Sequence, residues 1–170
     1  MLKEGLRQFE ACVIISQMEI NVLLDEGFKK ALDKAWLRNV AQEVLKAEGQ
    51  SNVEMGILIT GDERIKQLNK EYLDEDKPTD VLSFAMMESA KGDTTSFPTP
   101  PDGTKHLGEV IISYPQAVKQ AEEHKHSAKK EGAVLLIHGV LHLLGYDHDV
   151  PETQKRMEAR ETELVLRRLD

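Results

Sequence analysis

The sequence predicts an α+β or mixed α/β layered domain in which one helix lies buried at the centre. Three observations predict it. Short apolar runs, some strictly alternating, read as strands. They are interspersed with segments whose apolar residues recur at helical spacing. One further segment, residues 131–144, is apolar nearly all round, and such a helix is usually enclosed by other elements. Strands mixed with helices give a layered domain. The 170 residues carry no repeat and no linker, so one domain spanning 1–170 is expected.

The elements follow in order. Residues 11–20 hold an apolar run, Val13, Ile14 and Ile15, that suits a strand. Residues 27–46 read as a helix, because Phe28, Leu32, Ala35, Trp36, Val40 and Val44 recur at helical spacing and Gly49 offers a stop. Val53, Met55, Ile57 and Ile59 alternate, which predicts a strand over 53–60. Asp62 is a candidate cap for a short helix towards Tyr72. A proline turn at Lys77-Pro78 leads into a strand ending at Phe84, and Val110, Ile111 and Ile112 carry another over 108–113. Between these strands, residues 88–105 are rich in Ser, Thr, Gly and Pro. They are expected to be mobile, as are residues 1–10, and the composition favours disorder over an ordered lid. Ser113, Pro115 and Gln116 form a capping signature for a helix to about Glu123. Asp149 and Glu152, flanking Pro151, predict a last amphipathic helix to about Arg168.

Composition narrows the function. Asp and Glu number 30 against 22 Lys and Arg, a net charge of −8, which argues against coating nucleic acid by bulk charge. A local basic patch could still steer an RNA substrate. Lys119, Lys125, Lys129 and Lys130, with His124 and His126 among them, form one candidate; Arg156, Arg160, Arg167 and Arg168 form another. A solvated helix face is the simpler account of either cluster. The hydrophobic share is 40%, yet no apolar run approaches the roughly 18 residues of a membrane helix. The start of the chain lacks the long apolar core of a signal peptide, and the single Cys12 excludes an internal disulfide. A cytoplasmic location is the expectation.

The chemistry lies at the end of the apolar helix, in His138-Gly-Val-Leu-His142-Leu-Leu-Gly145-Tyr-Asp-His148. Residues four apart sit about 40° round a helix and roughly 6 Å along it, so His138 and His142 share a face. Gly145 can end the helix in a left-handed residue and bring His148 back towards them. A lone histidine here would be an ordinary hydrogen-bonded core residue. Three in so apolar a segment need a common partner. Three imidazoles suit one Zn²⁺, with Ni²⁺ or Co²⁺ as alternatives, and leave a coordination position open. Cys12 is remote in sequence and is not expected to join.

The spacing His-x-x-x-His-x-x-Gly-x-x-His is also that of the metzincin peptidases. Those enzymes place their general base, a glutamate, directly after the first histidine. Here that position is Gly139, which cannot take a proton. A metal still polarises a phosphoryl oxygen, so phosphodiester cleavage stays open without the glutamate.

At this point the sequence resembles a known family. Residues 138–148 match every fixed position of His-Gly-x-Leu-His-Leu-x-Gly-Tyr-Asp-His, the signature of the YbeY family of bacterial endoribonucleases and rRNA maturation factors. A second block, residues 69–84, ends in Asp76-Lys-Pro-Thr-Asp-Val-Leu-Ser-Phe84. A third reads Leu107-Gly-Glu-Val-Ile-Ile-Ser113 and is followed by the helix at 116–121. The blocks run in family order from about Val53 onward. The resemblance implies a zinc-dependent endoribonuclease specific for single strands, acting in 16S rRNA 3′-end maturation and ribosome quality control. It implies a zincin-like α+β fold with helices around a small mixed β-sheet, RNA and the small ribosomal subunit as partners, and metal ligands at His138, His142 and His148. Neither DNA nor a membrane is an expected partner.

Two positions depart from the family. Leu73 follows Tyr72 where the family usually has an arginine, and Glu109 stands where aspartate is common. The group that would stabilise the phosphate, and the general base, are thus not named by the sequence. Asp147 could orient an imidazole or cap the turn. Thr79 and Ser83 could touch the substrate backbone, but packing of a strand is the reading the sequence favours. Two rivals stand beside the nuclease. One is a zinc peptidase with a base from elsewhere, such as Glu109. The other is a non-enzymatic ribosome-associated factor whose metal is structural.

Overall fold

Alternation of buried and exposed residues builds four strands. In β1 (Met18–Leu24), Ile20 and Val22 are buried while Glu19, Asn21 and Leu23 face solvent. β2 (Val53–Thr60) buries Val53, Met55, Ile57 and Ile59 on one face. β3 (Val81–Ala85) and β4 (Lys105–Ser113) complete the sheet. The order is β1-β2-β4-β3. β1, β2 and β4 are parallel, and β3 pairs antiparallel with β4 at one edge. The sheet is therefore small and mixed, as the family resemblance implies. The computed structural model describes residues 17–86 and 103–169, with side chains as far as Arg167.

Five helices surround the sheet. α1 (Lys34–Ala47) carries the chain from β1 to β2, the crossover that parallel neighbours require. α2 (Asp62–Leu73) follows β2, α3 (Tyr114–His124) follows β4, and α4 (Ala128–Leu143) and α5 (Pro151–Leu169) close the chain. One face of the sheet is covered by α1 and α4, whose Leu37, Val44, Leu136, Ile137 and Val140 pack on Met55, Ile57 and Val110 in the main core. The other face carries a satellite cluster in which Ile65 of α2 meets Leu82 and Ile111. α4 contacts α1, α3, α5, β3 and β4, so the apolar helix is the centre of the fold. Among the described residues, no helix is long and apolar enough to cross a membrane.

Several boundaries differ from expectation, each for a local reason. The run Val13–Ile14–Ile15, Cys12 and the stretches 1–10 and 88–102 lie outside the described residues. The first described strand is β1, whose residues alternate rather than run. The helix expected from Gly27 starts at Lys34, because the Asp33 side chain caps it by accepting from the Trp36 N–H. Glu26–Phe28 forms a separate 3₁₀ turn, and Leu32 is buried from the connecting segment. Gly61, not Asp62, is the N-cap of α2. The Asp62 carboxylate instead accepts from Ser113 Oγ at 2.7 Å and from Gln116 Nε2 at 3.0 Å, joining α2 to α3. Ser113 caps α3 as expected. β4 begins at Lys105, so the expected loop ends before that residue. α4 starts three residues earlier than its apolar run, under a Ser127 cap.

Candidate metal centre

The local sequence explains why His138, His142 and His148 line one cleft. α4 ends in a Schellman turn: Tyr146 N–H donates to Leu141 O, and Gly145 N–H donates to His142 O. The turn needs a left-handed residue, and Gly145 supplies it at φ 95°. The chain then reverses and carries His148 back over the helix end. The ring centroids of His138 and His142 are 4.7 Å apart, those of His142 and His148 5.1 Å, and those of His138 and His148 6.4 Å. His138 Nε2 lies 3.1 Å from His142 Nε2. Two ligands on a tetrahedral ion with bonds of about 2.0–2.1 Å stand roughly 3.3 Å apart, so this pair fits one zinc-sized ion.

The partners of these rings prepare them for that use. His138 Nδ1 is 3.0 Å from Glu161 Oε2 on α5. A carboxylate accepting from Nδ1–H fixes the tautomer that leaves the Nε2 lone pair facing the cleft. Burial pushes the His142 pKa down, and the neighbouring His138 and His148 push it further. The shift favours the neutral imidazole, the form that can offer a lone pair to a metal. Asp147 takes the turn-capping role, accepting from the Asp149 N–H at 3.4 Å. Glu161, which sequence reading missed, is the carboxylate on the imidazole. Its signal was present: Met157, Glu161 and Leu164 fall at i, i+4 and i+7, and the two apolar members are buried.

A second anchor holds the turn that bears His148. Tyr146 OH donates to Glu48 Oε2 at 3.0 Å, beyond the end of α1. Arg160 of α5 donates to the other Glu48 oxygen and, at 3.0 Å, to Ala47 O. The ends of α1 and α4 and the middle of α5 are thus tied at one point.

The histidines open into a cleft of about 420 Å³ whose far wall is the edge strand β3. Thr79, Ser83 and Leu73 line it. Ser83 Oγ donates to Gly139 O at 3.2 Å and Thr79 Oγ1 to Asp80 Oδ1 at 3.2 Å, so both hydroxyls are engaged in holding the wall. Among the described residues the lining includes no lysine or arginine. Leu73 reaches the cleft from the end of α2, half exposed and uncharged.

Packing also explains the glycine after His138. A Cβ on Gly139 would stand 2.5 Å from Val110 Cγ1 and 3.2 Å from Ser83 Oγ. No glutamate could occupy that position without moving β3 and β4. Glu109 cannot replace it. Val110 faces α4, so Glu109, one residue earlier, projects to the α2 face, against Gly56. Glu109 therefore lies across the sheet from the histidines and cannot be the base of the peptidase site that the sequence left open.

Known proteins carry the same arrangement of sequence. A profile of the family described as Endoribonuclease YbeY matches residues 21–169. The chain belongs to the YbeY family. A relative named Endoribonuclease YbeY from Dehalococcoides mccartyi (strain 195) is 54% identical over 144 residues, covering 82% of this chain and 84% of the relative. Another of that name, from Pelotomaculum thermopropionicum, is 43% identical over 157 residues, covering 90% and 94%. The solution structure of TM1509 from Thermotoga maritima superposes with a TM-score of 0.56 at 28% identity, covering 88% of this chain and 87% of that one.

Against this YbeY background, the two basic clusters separate. Arg160 is bound to Glu48 and Glu163, Arg167 to Glu163, and Arg156 lies 5.9 Å from the Tyr146 ring centre. The arginines are mostly spent on structure; the Arg168 side chain lies outside the described residues. Lys119, Lys125 and Lys129 are exposed, with Lys129 Nζ 4.8 Å over the Trp36 ring. The two histidines among them do something else. His124 and His126 both contact Glu131, and the three form a group that could hold a metal ion. The sequence by itself sets His124 and His126 in a charged surface patch. The clue to their other role is Glu131, an acid at the start of an otherwise apolar helix.

Proposed function

We propose that this YbeY-family chain is a metal-dependent endoribonuclease that hydrolyses single-stranded RNA, with one Zn²⁺ held by His138, His142 and His148. Ni²⁺ and Co²⁺ are the alternative ions for an all-imidazole set. The observation that carries the proposal is the approach of two Nε2 atoms to 3.1 Å, with the outer nitrogen of one ring bonded to Glu161. When bound, the ion supplies Lewis acidity towards a scissile phosphate and acidifies water.

The chain's own residues do the rest. Glu161 holds the His138 ring and its tautomer. The Tyr146–Glu48 bond steadies the turn that presents His148. β3 and the loop before it form the wall along which a strand would lie, and the cleft of about 420 Å³ is nucleotide-sized. The substrate is proposed to be the 16S rRNA precursor at its 3′ end, met on the small ribosomal subunit in the cytoplasm. The whole chain, 1–170, is proposed to serve as one domain. The peptidase reading is disfavoured by Gly139, where packing leaves no room for a base, and by the position of Glu109.

The test is cleavage of an end-labelled single-stranded RNA by purified protein, with and without chelator, beside His142→Ala. The expected result is cutting that chelator abolishes and that the variant lacks, with no digestion of casein. Equal cutting by the variant would overturn the assignment of the ligands. A chelator that lowers the melting temperature of a protein with no cleaving activity would favour the structural-metal reading.

A further inference from the structure

We infer that the chain carries a second transition-metal site, of the zinc class, on His124, His126 and Glu131. The three residues come from three successive segments: the last residue of α3, the turn, and the first turn of α4. Their ligand atoms all lie within 4.8 Å of one another. His124 Nδ1 is 3.0 Å from Glu131 Oε2, and His126 Nε2 contacts the same oxygen. The two rings stand edge to face, with centroids 5.5 Å apart.

The burial of the carboxylate is the argument. The Glu131 side chain is 2% exposed, yet it sits beside an apolar helix face. A buried carboxylate is costly unless matched by positive charge. Two neutral imidazoles supply donors but no charge, and two protonated ones would repel each other at this range; one protonated ring balances the carboxylate by itself, and the hydrogen bond to Glu131 does raise the His124 pKa, but it leaves the second ring as a hydrogen-bond donor only. A divalent ion matches the charge and engages both rings once the close His126–Glu131 contact widens to the roughly 3.3 Å that two zinc ligands keep. Two imidazoles and one carboxylate are a donor set used for zinc with an open position, and the nitrogen ligands select Zn²⁺, Co²⁺ or Ni²⁺ over Mg²⁺ and Ca²⁺. The His124 side chain is 57% exposed, so the group opens to solvent and offers an entry path.

This site cannot share an ion with the first. Glu131 and His138 are seven residues apart on one helix, roughly 10 Å along its axis. The inference therefore stands or falls separately from the nuclease reading.

The experiment is equilibrium dialysis of the metal-stripped full chain against Zn²⁺, with bound zinc counted by elemental analysis. The wild type is expected to retain two equivalents. His138→Ala combined with His142→Ala should retain one, and the Co²⁺ form of that variant should show visible absorption. His124→Ala should also retain one; it alters an exposed ring, so folding, checked by circular dichroism, is preserved. Adding His124→Ala to the double variant should leave none. If the double variant binds no zinc, or if His124→Ala leaves the wild-type count unchanged, the cluster is a hydrogen-bonded carboxylate only and the inference is overturned.

Discussion

Glu161 reaches across from α5 to place a carboxylate oxygen 3.0 Å from the outer nitrogen of His138, so the last helix of the chain sets the orientation of a ring on the central one. Removing such a partner typically costs 10–100-fold in metal affinity. Glu161→Ala is expected to lose zinc to a competing chelator at about a tenth of the wild-type chelator concentration or less. Glu161→Gln should recover part of that loss, because the amide oxygen still accepts from Nδ1–H. Equal affinities for all three proteins would show that the ring is held by packing alone.

Gly139 is fixed by what surrounds it. A methyl group there meets both Val110 methyls, at 2.5 and 3.0 Å, and Ser83 Oγ at 3.2 Å. Val110 has few χ1 options in a strand, so relief must come from movement of the cleft wall. Gly139→Ala should destabilise the protein by about 1–3 kcal/mol, read from denaturant midpoints at constant m-value. A change below about 0.5 kcal/mol would mean that β3 and β4 yield freely at this point.

The strap between Tyr146 and Glu48 should matter to both stability and metal. Tyr146→Phe deletes one hydrogen bond while Arg160 still pairs the Glu48 carboxylate. The cost expected is about 0.5–1.5 kcal/mol. Arg160→Ala should cost more, because it leaves the poorly exposed Glu48 carboxylate without its cation. Both variants should also release zinc faster, since Tyr146 stands two residues before His148. Thermal unfolding with and without Zn²⁺ separates the two effects: a smaller zinc-induced rise in Tm marks loss at the site.

The parts of this molecule that were legible in the sequence are those written in local spacing. His138 and His142 declare their shared face through a four-residue interval, and Gly145 declares the turn that returns His148. The alternation of Val53, Met55, Ile57 and Ile59 declares β2. The parts that were not legible depend on distant residues. Phe28 and Leu32 fall at helical spacing with α1, yet they reach the core from a 3₁₀ turn and its connection, and only Asp33 marks the real start. Asp62 has the chemistry of a cap, but Ser113 and Gln116, folded next to it, claim its carboxylate. Glu161 and Glu48 lie 23 and 98 residues from the side chains they hold, and no local rule joins them.

Asp25 gives a prediction in pH. It follows β1 directly, its N–H donates to Ile59 O, and its carboxylate accepts from Thr60 Oγ1 and from Arg64 Nη1 at 2.6 Å. Burial alone would raise its pKa, but the Thr60 and Arg64 hydrogen bonds and the Arg64 charge outweigh it, and the value is lowered. A carboxyl group whose pKa is lower in the folded state stabilises that state above its unfolded pKa, about 4. The contribution is lost as the pH falls below that value and through the folded one. Asp25→Asn should therefore be less stable than the wild type at neutral pH. The gap should close progressively below about pH 4, because the protonated wild type then resembles the amide. Arg64 is more than half exposed, so added salt should shrink the gap at neutral pH as well. Urea midpoints of the two proteins across pH 2–7, at low and high salt, measure this directly; a gap that stays constant with pH would assign the loss to packing around Thr60 instead of to charge.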